Sequence, residues 1–486
     1  MELLNNQASV DLQNKVSGYT PLILASENGH TDVVATLLMN NASIDLQNYS
    51  GGSALAKAAK NGHQDVVDML LRKNPIIDPQ ILIGAAANGN SQIIAQLLEN
   101  NAPVNARDEY QKSPLMIAAS YGHTDAAKIL LKNNASVDLL DKYSNSALKK
   151  AVTKGHKEVV ALLLENNASV DFIYGYDEET ALMLAAKNGH AEIVVALINY
   201  GAKIHVQDKS GYTALMKASQ NGHDKIVVIL LENKAALNEK SKYGESAFTL
   251  ATRAGQYTVV AKLLENNPIL DPLALIGAAK SGNTEVVALL LENNFDVNVT
   301  DSSDFSPLII SAIDGNKNTV LTLLKYNAYI DFQCKNSLKT ALMQAAENGH
   351  KEVVDILLEN NADTDLQSGE AKRFYVSTPG SNKVTALMLA ALNDNNEIVT
   401  ALINHGADID VTDQEGFTSV MIALYYGKLE VAATLLENNA SINMTSKDGD
   451  TALSIASDRS YGFVDDMIKK RNPYLGQNNK QFKNVN

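Results

Sequence analysis

A Gly-His pair returns along this chain in a fixed frame: His30 and His63, His123 and His156, and His190 and His223 each stand 33 residues apart. Before each pair lies a Thr/Ser-Pro/Ala-Leu start, as in Thr20-Pro21-Leu22, and after it an apolar run, as in Val33-Val34-Ala35-Thr36-Leu37-Leu38. A unit of that size cannot bury its own apolar face, so the units must stack, and their shared core grows in one dimension. That lets 486 residues fold without dividing into several globular domains. Function must then lie on the long surface that stacking creates.

Residues 108–140 serve as the type unit. Asp108-Glu109-Tyr110-Gln111-Lys112 is a polar turn, read as the tip of a hairpin finger. Ser113-Pro114 opens a first helix: the hydroxyl caps free backbone N–H groups, and Pro sits where its missing N–H does no harm. That helix is short, with small Ala118 and Ala119, and Tyr121-Gly122-His123 breaks it before a second helix from about Thr124 to Asn133. Gly201 and Gly406 stand where Asn101, Asn134, Asn167, Asn361 and Asn439 stand elsewhere. Gly and Asn are the two residues best suited to a left-handed helix terminator, so the paired asparagines are stop signals.

These residues resemble the ankyrin repeat: Asp-x-x-Gly, Thr-Pro/Ala-Leu-x-x-Ala, Gly-His, Val-Val-x-x-Leu-Leu and Gly/Asn-Ala, most cleanly in Asp208-Lys209-Ser210-Gly211-Tyr212-Thr213-Ala214-Leu215. Ile23, Met116, Met183, Met216 and Met343 take the place usually held by His after Thr-Pro-Leu. The resemblance implies an all-α solenoid of helix-turn-helix units with short β-hairpin fingers, forming a curved superhelix. Its span is residues 15–472, about fourteen units, after a partial repeat at 1–14 and before a polar tail at 473–486. With packed layers about 8–10 Å apart, fourteen units give an arc on the order of 130 Å. It also implies an adaptor, inhibitor or scaffold without chemistry of its own.

The spacing shrinks to 27 residues between His63 and Asn90 and between Gln256 and Asn283, giving short units near 78–107 and 271–300 with no finger. Asn74 to Asn90 matches Asn267 to Asn283 at 12 of 17 positions, the mark of a duplicated block. The missing fingers are expected to divide the binding face into three segments. An insertion at 368–383 lengthens another finger, and a long loop with Phe374 and Tyr375 is a candidate contact.

Seven of the nine histidines share one place in the repeat, which makes them structural ties between neighbouring units rather than catalysts. Cys334 is the only cysteine, so no internal disulfide forms, and a reducing compartment suits the chain. No zinc-ligand spacing and no phosphate-binding Gly-Lys-Ser/Thr loop occurs, so no catalytic residue, metal or cofactor is assigned. A net charge of −14 argues against nucleic acid and favours a basic partner, while keeping a long rod monomeric. No apolar run reaches membrane-spanning length and no secretory leader is visible, which points to the cytoplasm.

The aromatic residues carry the site hypothesis. Tyr19, Tyr49, Tyr110, Tyr143, Tyr176, Tyr212, Tyr243, Phe305 and Phe417 map to finger tips, and Tyr121, Tyr425 and Tyr426 to the ends of first helices. Those places face the open, concave side, and tyrosine is enriched among binding hot spots. The expected function is to hold a partner protein or extended peptide there. The alternative is the recognition arm of a larger enzyme or a secreted, host-directed effector. The Asn- and Lys-rich, near-identical units also resemble ankyrin arrays of AT-rich parasites and intracellular bacteria, some delivered to a host cytosol.

Overall fold

The computed structural model describes residues 9–369, 379–380 and 382–471. Among them lie 28 helices and no strand beyond two isolated bridges. The chain forms two compact bodies, Met1–Ala247 and Phe248–Asn486, each built by the same rules.

In the type unit Ser113 is extended, and its hydroxyl accepts from the Met116 N–H at 3.3 Å, opening the helix Pro114–Tyr121. Gly122, at φ 77°, ends it, and His123 precedes the second helix Thr124–Lys132. Asn134, at φ 60°, then turns the chain so that the Ala135 N–H returns to the Leu130 carbonyl at 3.0 Å. Asn101, Asn167, Asn361 and Asn439 repeat that left-handed turn, as do Gly201 and Gly406.

Within each body first helices pack on first helices and second on second. Ala54–Asn61 is flanked by Pro21–Glu27 and Pro79–Asn88 in the first body, and Ala341–Asn348 by Pro307–Ile313 and Ala386–Leu392 in the second. The core lies between the two layers. Leu115, Met116, Ala118 and Ala119 meet a second-helix face of Ala126, Ala127 and Leu130, all buried. The alanines keep the layers close, and the larger side chains each contribute about 1.5–3 kcal/mol by leaving water.

The repeated histidine ties each unit to the one before. The Nε2 of His63, His123, His156, His223 and His350 lies 2.9–3.1 Å from the carbonyl oxygens of Glu27, Ala87, Ser120, Lys187 and Ile313. A carbonyl only accepts, so that nitrogen carries the proton. Where the frame has Asn, the amide does the same work: Asn283 donates to the Gly255 carbonyl at 2.8 Å and Asn395 to Ala346 at 3.2 Å. His190 packs in the same place against Gly155, but its Nε2 has no partner.

The fingers are short hairpin turns closed by main-chain and side-chain bonds together: the Asp108 N–H donates to the Lys112 carbonyl at 3.1 Å and the Asp208 N–H to the Tyr212 carbonyl at 3.0 Å, and isolated antiparallel bridges join Gln47 to Ser53 and Tyr174 to Glu179. Asp108 Oδ1 also accepts from the N–H groups of Tyr110 and Lys112, at 2.9 and 2.7 Å, and so satisfies the donors inside the turn. Asp141, Asp208, Asp301 and Asp413 do likewise. Successive tips join by single main-chain bonds, such as Lys142 N–H to Tyr110 O at 2.9 Å and Lys242 N–H to Ser210 O at 3.0 Å. In the short unit at Pro79–Asn88, the Asp78 carboxylate caps the Gln80 N–H directly. The segment 1–8, most of the 368–383 insertion with Phe374 and Tyr375, and the 473–486 tail lie outside the described residues.

Candidate interaction surface

The tip and first-helix aromatics divide by exposure. In the first body Tyr49, Tyr121, Tyr143, Tyr176 and Tyr243 stand 61–82% exposed, and Tyr110 is 42% exposed. Their units are sealed without them, because each adjoining first helix buries Leu and Ala instead. Tyr121 stacks 5.9 Å from the His123 ring, and Tyr110 lies under the Lys112 ammonium at 5.1 Å.

Other rings are committed within the fold. Tyr19 donates to Glu27 at 3.1 Å and accepts from Lys57 at 2.6 Å, while Lys57 also pairs with Glu27 at 2.8 Å. The Lys57 hydrogen bond holds the Glu27 carboxyl below its ordinary range; burial works against the Lys57 charge, but Glu27 and Tyr19 outweigh it and hold its pKa up. Tyr212 donates to Glu245 at 2.7 Å, and its ring sits 6.4 Å from Tyr243. Phe305 is half-buried.

Phe417 departs from its expected place on the open face. It is only 5% exposed, set edge-on against Tyr425 at 6.0 Å, and Tyr425 in turn packs edge-on against Tyr426. Tyr425 lies beneath Arg459, and Tyr426 donates to the Pro379 carbonyl at 3.1 Å.

Sequence reasoning missed an electrostatic layer under the tips. Lys217 bridges Asp208 at 2.7 Å and Glu179 at 3.0 Å, and Lys150 pairs with Asp141 at 2.7 Å. Desolvation opposes the Lys217 charge, but the two carboxylates prevail and raise its pKa. Burial likewise pushes the Asp141 carboxyl up, and Lys150, Asn145 and the turn N–H groups bring it below its ordinary value. A signal for this existed: Asp141 to Lys150 and Asp208 to Lys217 share one frame of the repeat. Also missed was Tyr174, 2% exposed and bonded to the Ser146 hydroxyl at 3.0 Å, whose burial pushes its phenol up to about 12.

Among the described residues no cluster of three His, Cys, Asp or Glu side chains is arranged to hold a metal ion, and no helix is long and apolar enough to cross a membrane. A family model described as "Ankyrin repeats (3 copies)" matches residues 1–81, 82–174, 182–272, 275–368, 371–446 and 387–473. Mouse (Mus musculus) "Ankyrin repeat and SAM domain-containing protein 6" is 34% identical over 92 residues, a stretch covering 19% of this chain and 10% of that protein. The frame of helix caps, left-handed turns and histidine ties thus coincides with a family pattern matched along nearly the whole sequence. The chain belongs to the ankyrin-repeat family.

Proposed function

We propose that this chain is a binding scaffold that grips a partner protein on the tips and first helices of its first body. Ankyrin repeats as a family mediate protein–protein interaction, which supports the general class. One observation supports the location: Tyr49, Tyr143, Tyr176 and Tyr243 each expose more than 60% of their surface from tips whose backbones are already satisfied. Rigid amphipathic rings presented in this way are the residues that dominate binding energies. The protein works as a monomer in the cytoplasm and supplies contact surface rather than catalysis.

The test is affinity capture from lysate with Tyr143, Tyr176 and Tyr243 changed together to Ser. Loss of a specific partner, with helicity unchanged by circular dichroism, supports the site; an unaltered partner list removes it. A second reading is that the chain is the recognition arm of a longer protein, including a host-directed effector. It draws on the mouse relative, of whose length the match spans about a tenth and whose name joins ankyrin repeats to another domain.

A further inference from the structure

The net charge of the chain hides a local reversal of sign. In the first body the exposed acids Glu158, Glu165, Glu192 and Glu232 lie on second helices. First helices carry lysines instead: Lys149 and Lys154 on Ala147–Lys154, Lys187 on Ala181–Asn188 and Lys217 on Ala214–Gln220. The carboxylates nearest them are sunk beneath. The side chains of Asp141, Asp208 and Glu179 are 0%, 3% and 12% exposed, and each is already paired to a lysine.

Deepening the scaffold reading above and resting on it, we propose that this face recognises an extended, acidic segment of the partner protein. Lys154 is exposed and Lys187 half-exposed, the latter only 3.6 Å from Glu179. Lys149 is the telling residue. Its ammonium lies 5.2 Å from the centroid of the Tyr174 ring, and among the described residues no carboxylate comes within ion-pair reach of it. Burial is the largest influence and lowers its pKa, the nearby Lys150 charge adds to that, and the carboxylates of Glu179, Asp141 and Asp177 offset it only in part, so the fold partly desolvates a cation without giving it an ion pair. An incoming carboxylate would supply the missing partner in a medium where charges attract more strongly than in water.

The spacing of the rungs sets the spacing of the ligand. Packed helices lie about 8–10 Å apart, and an extended chain advances about 3.3 Å per residue. Carboxylates three residues apart therefore match Lys154 and Lys187 on the adjacent first helices Ala147–Lys154 and Ala181–Asn188, whereas Lys217 on the next is already held by Asp208 and Glu179. Exposed Asp177 and Glu178 sit at a tip rather than on a helix and border this track. Tyr143 and Tyr176 stand along the same border, where they can pack on the apolar residues between the acids.

The test is fluorescence anisotropy on the full chain with three fluorescein-labelled peptides. One carries Glu at every third position with Gly and Ser between, one carries the same Glu residues in a single block, and one replaces each Glu by Lys. The periodic acidic peptide is expected to bind about tenfold tighter than either control, equivalent to roughly 1.4 kcal/mol. Lys154→Glu combined with Lys187→Glu is expected to abolish that advantage while circular dichroism stays unchanged. Equal binding of block and periodic peptides, preference for the Lys peptide, or tighter binding of single-stranded DNA would overturn the proposal. If no peptide binds but the tyrosine variant still loses its partner, the acidic segment is refuted and the scaffold reading stands. If the periodic peptide binds through the lysines while the tyrosine variant loses nothing, the acidic track is upheld and the tyrosine site falls.

Discussion

Replacing Gly122 by Ala tests how the units are joined. Gly122 has φ 77°, and a Cβ added there would lie 2.5 Å from His156 Nδ1, far inside contact distance. Two costs follow. An alanine held in the left-handed region costs roughly 1–2 kcal/mol. Displacing the His156 ring breaks its 3.1 Å bond to the Ser120 carbonyl, which costs about 1 kcal/mol more. The sum is about 2–3 kcal/mol. Gly201→Ala is the control, because Gly201 has φ 86° with nothing within 4 Å of its hypothetical Cβ, so only the backbone cost applies. Amide hydrogen exchange of the helix Lys157–Glu165 reads the difference locally, where global unfolding of a repeat array loses its two-state meaning. Protection there should fall by roughly 30-fold or more in Gly122→Ala. In Gly201→Ala the loss should be smaller and confined to its own unit. Equal losses in the two variants would refute the claim that the histidine ring against glycine is a working joint.

Three further outcomes are expected. His123→Ala should destabilise the joint to Ala87 by about 1 kcal/mol, whereas His123→Asn should lose less, since Asn283 and Asn395 already bridge other units; amide hydrogen exchange of the helix Thr124–Lys132 in each variant decides it. Thr180→Ala should cost about 1 kcal/mol by removing the cap on Met183 N–H, while Thr418→Ala should be close to neutral, because the Thr418 hydroxyl caps nothing and is buried without a partner; amide hydrogen exchange of the helices Ala181–Asn188 and Ser419–Tyr425 compares the two. Stability should fall at both pH extremes. Asp141, held below its ordinary 3.8, stabilises fully above that value and ceases to as pH drops through its lower folded value; Lys217, held above 10.5, stabilises fully below that value and ceases to as pH climbs through its higher one. Ultraviolet titration in the alkaline range should then show one phenol, Tyr174, ionising only near 12.

Much of the architecture could be read from residue order because local rules and the repeat agree. Ser113-Pro114 announced a capped start and Asn134 a left-handed stop, and both are visible in a window of a few residues. What stayed hidden depends on side chains that meet across units. Tyr19 and Tyr49 look alike as tip residues, yet Tyr19 is committed to Glu27 and Lys57 while Tyr49 is open. Phe417 is buried with its ring against Tyr425, a residue that its own tip sequence does not reveal. Net charge carries no positional information either, because it sums outer and inner helices that a folded unit keeps on different faces.

The histidine tie reaches a main-chain oxygen, and the tips likewise join through main-chain groups. Every residue type offers those atoms, so beyond the glycine that leaves room for the ring the seam asks nothing of the earlier unit's side chains at that point. Blocks can therefore be copied, deleted or exchanged along such a chain without leaving a mismatched junction. The recurrence of Asn74–Asn90 at Asn267–Asn283 is what that freedom leaves behind in a lineage.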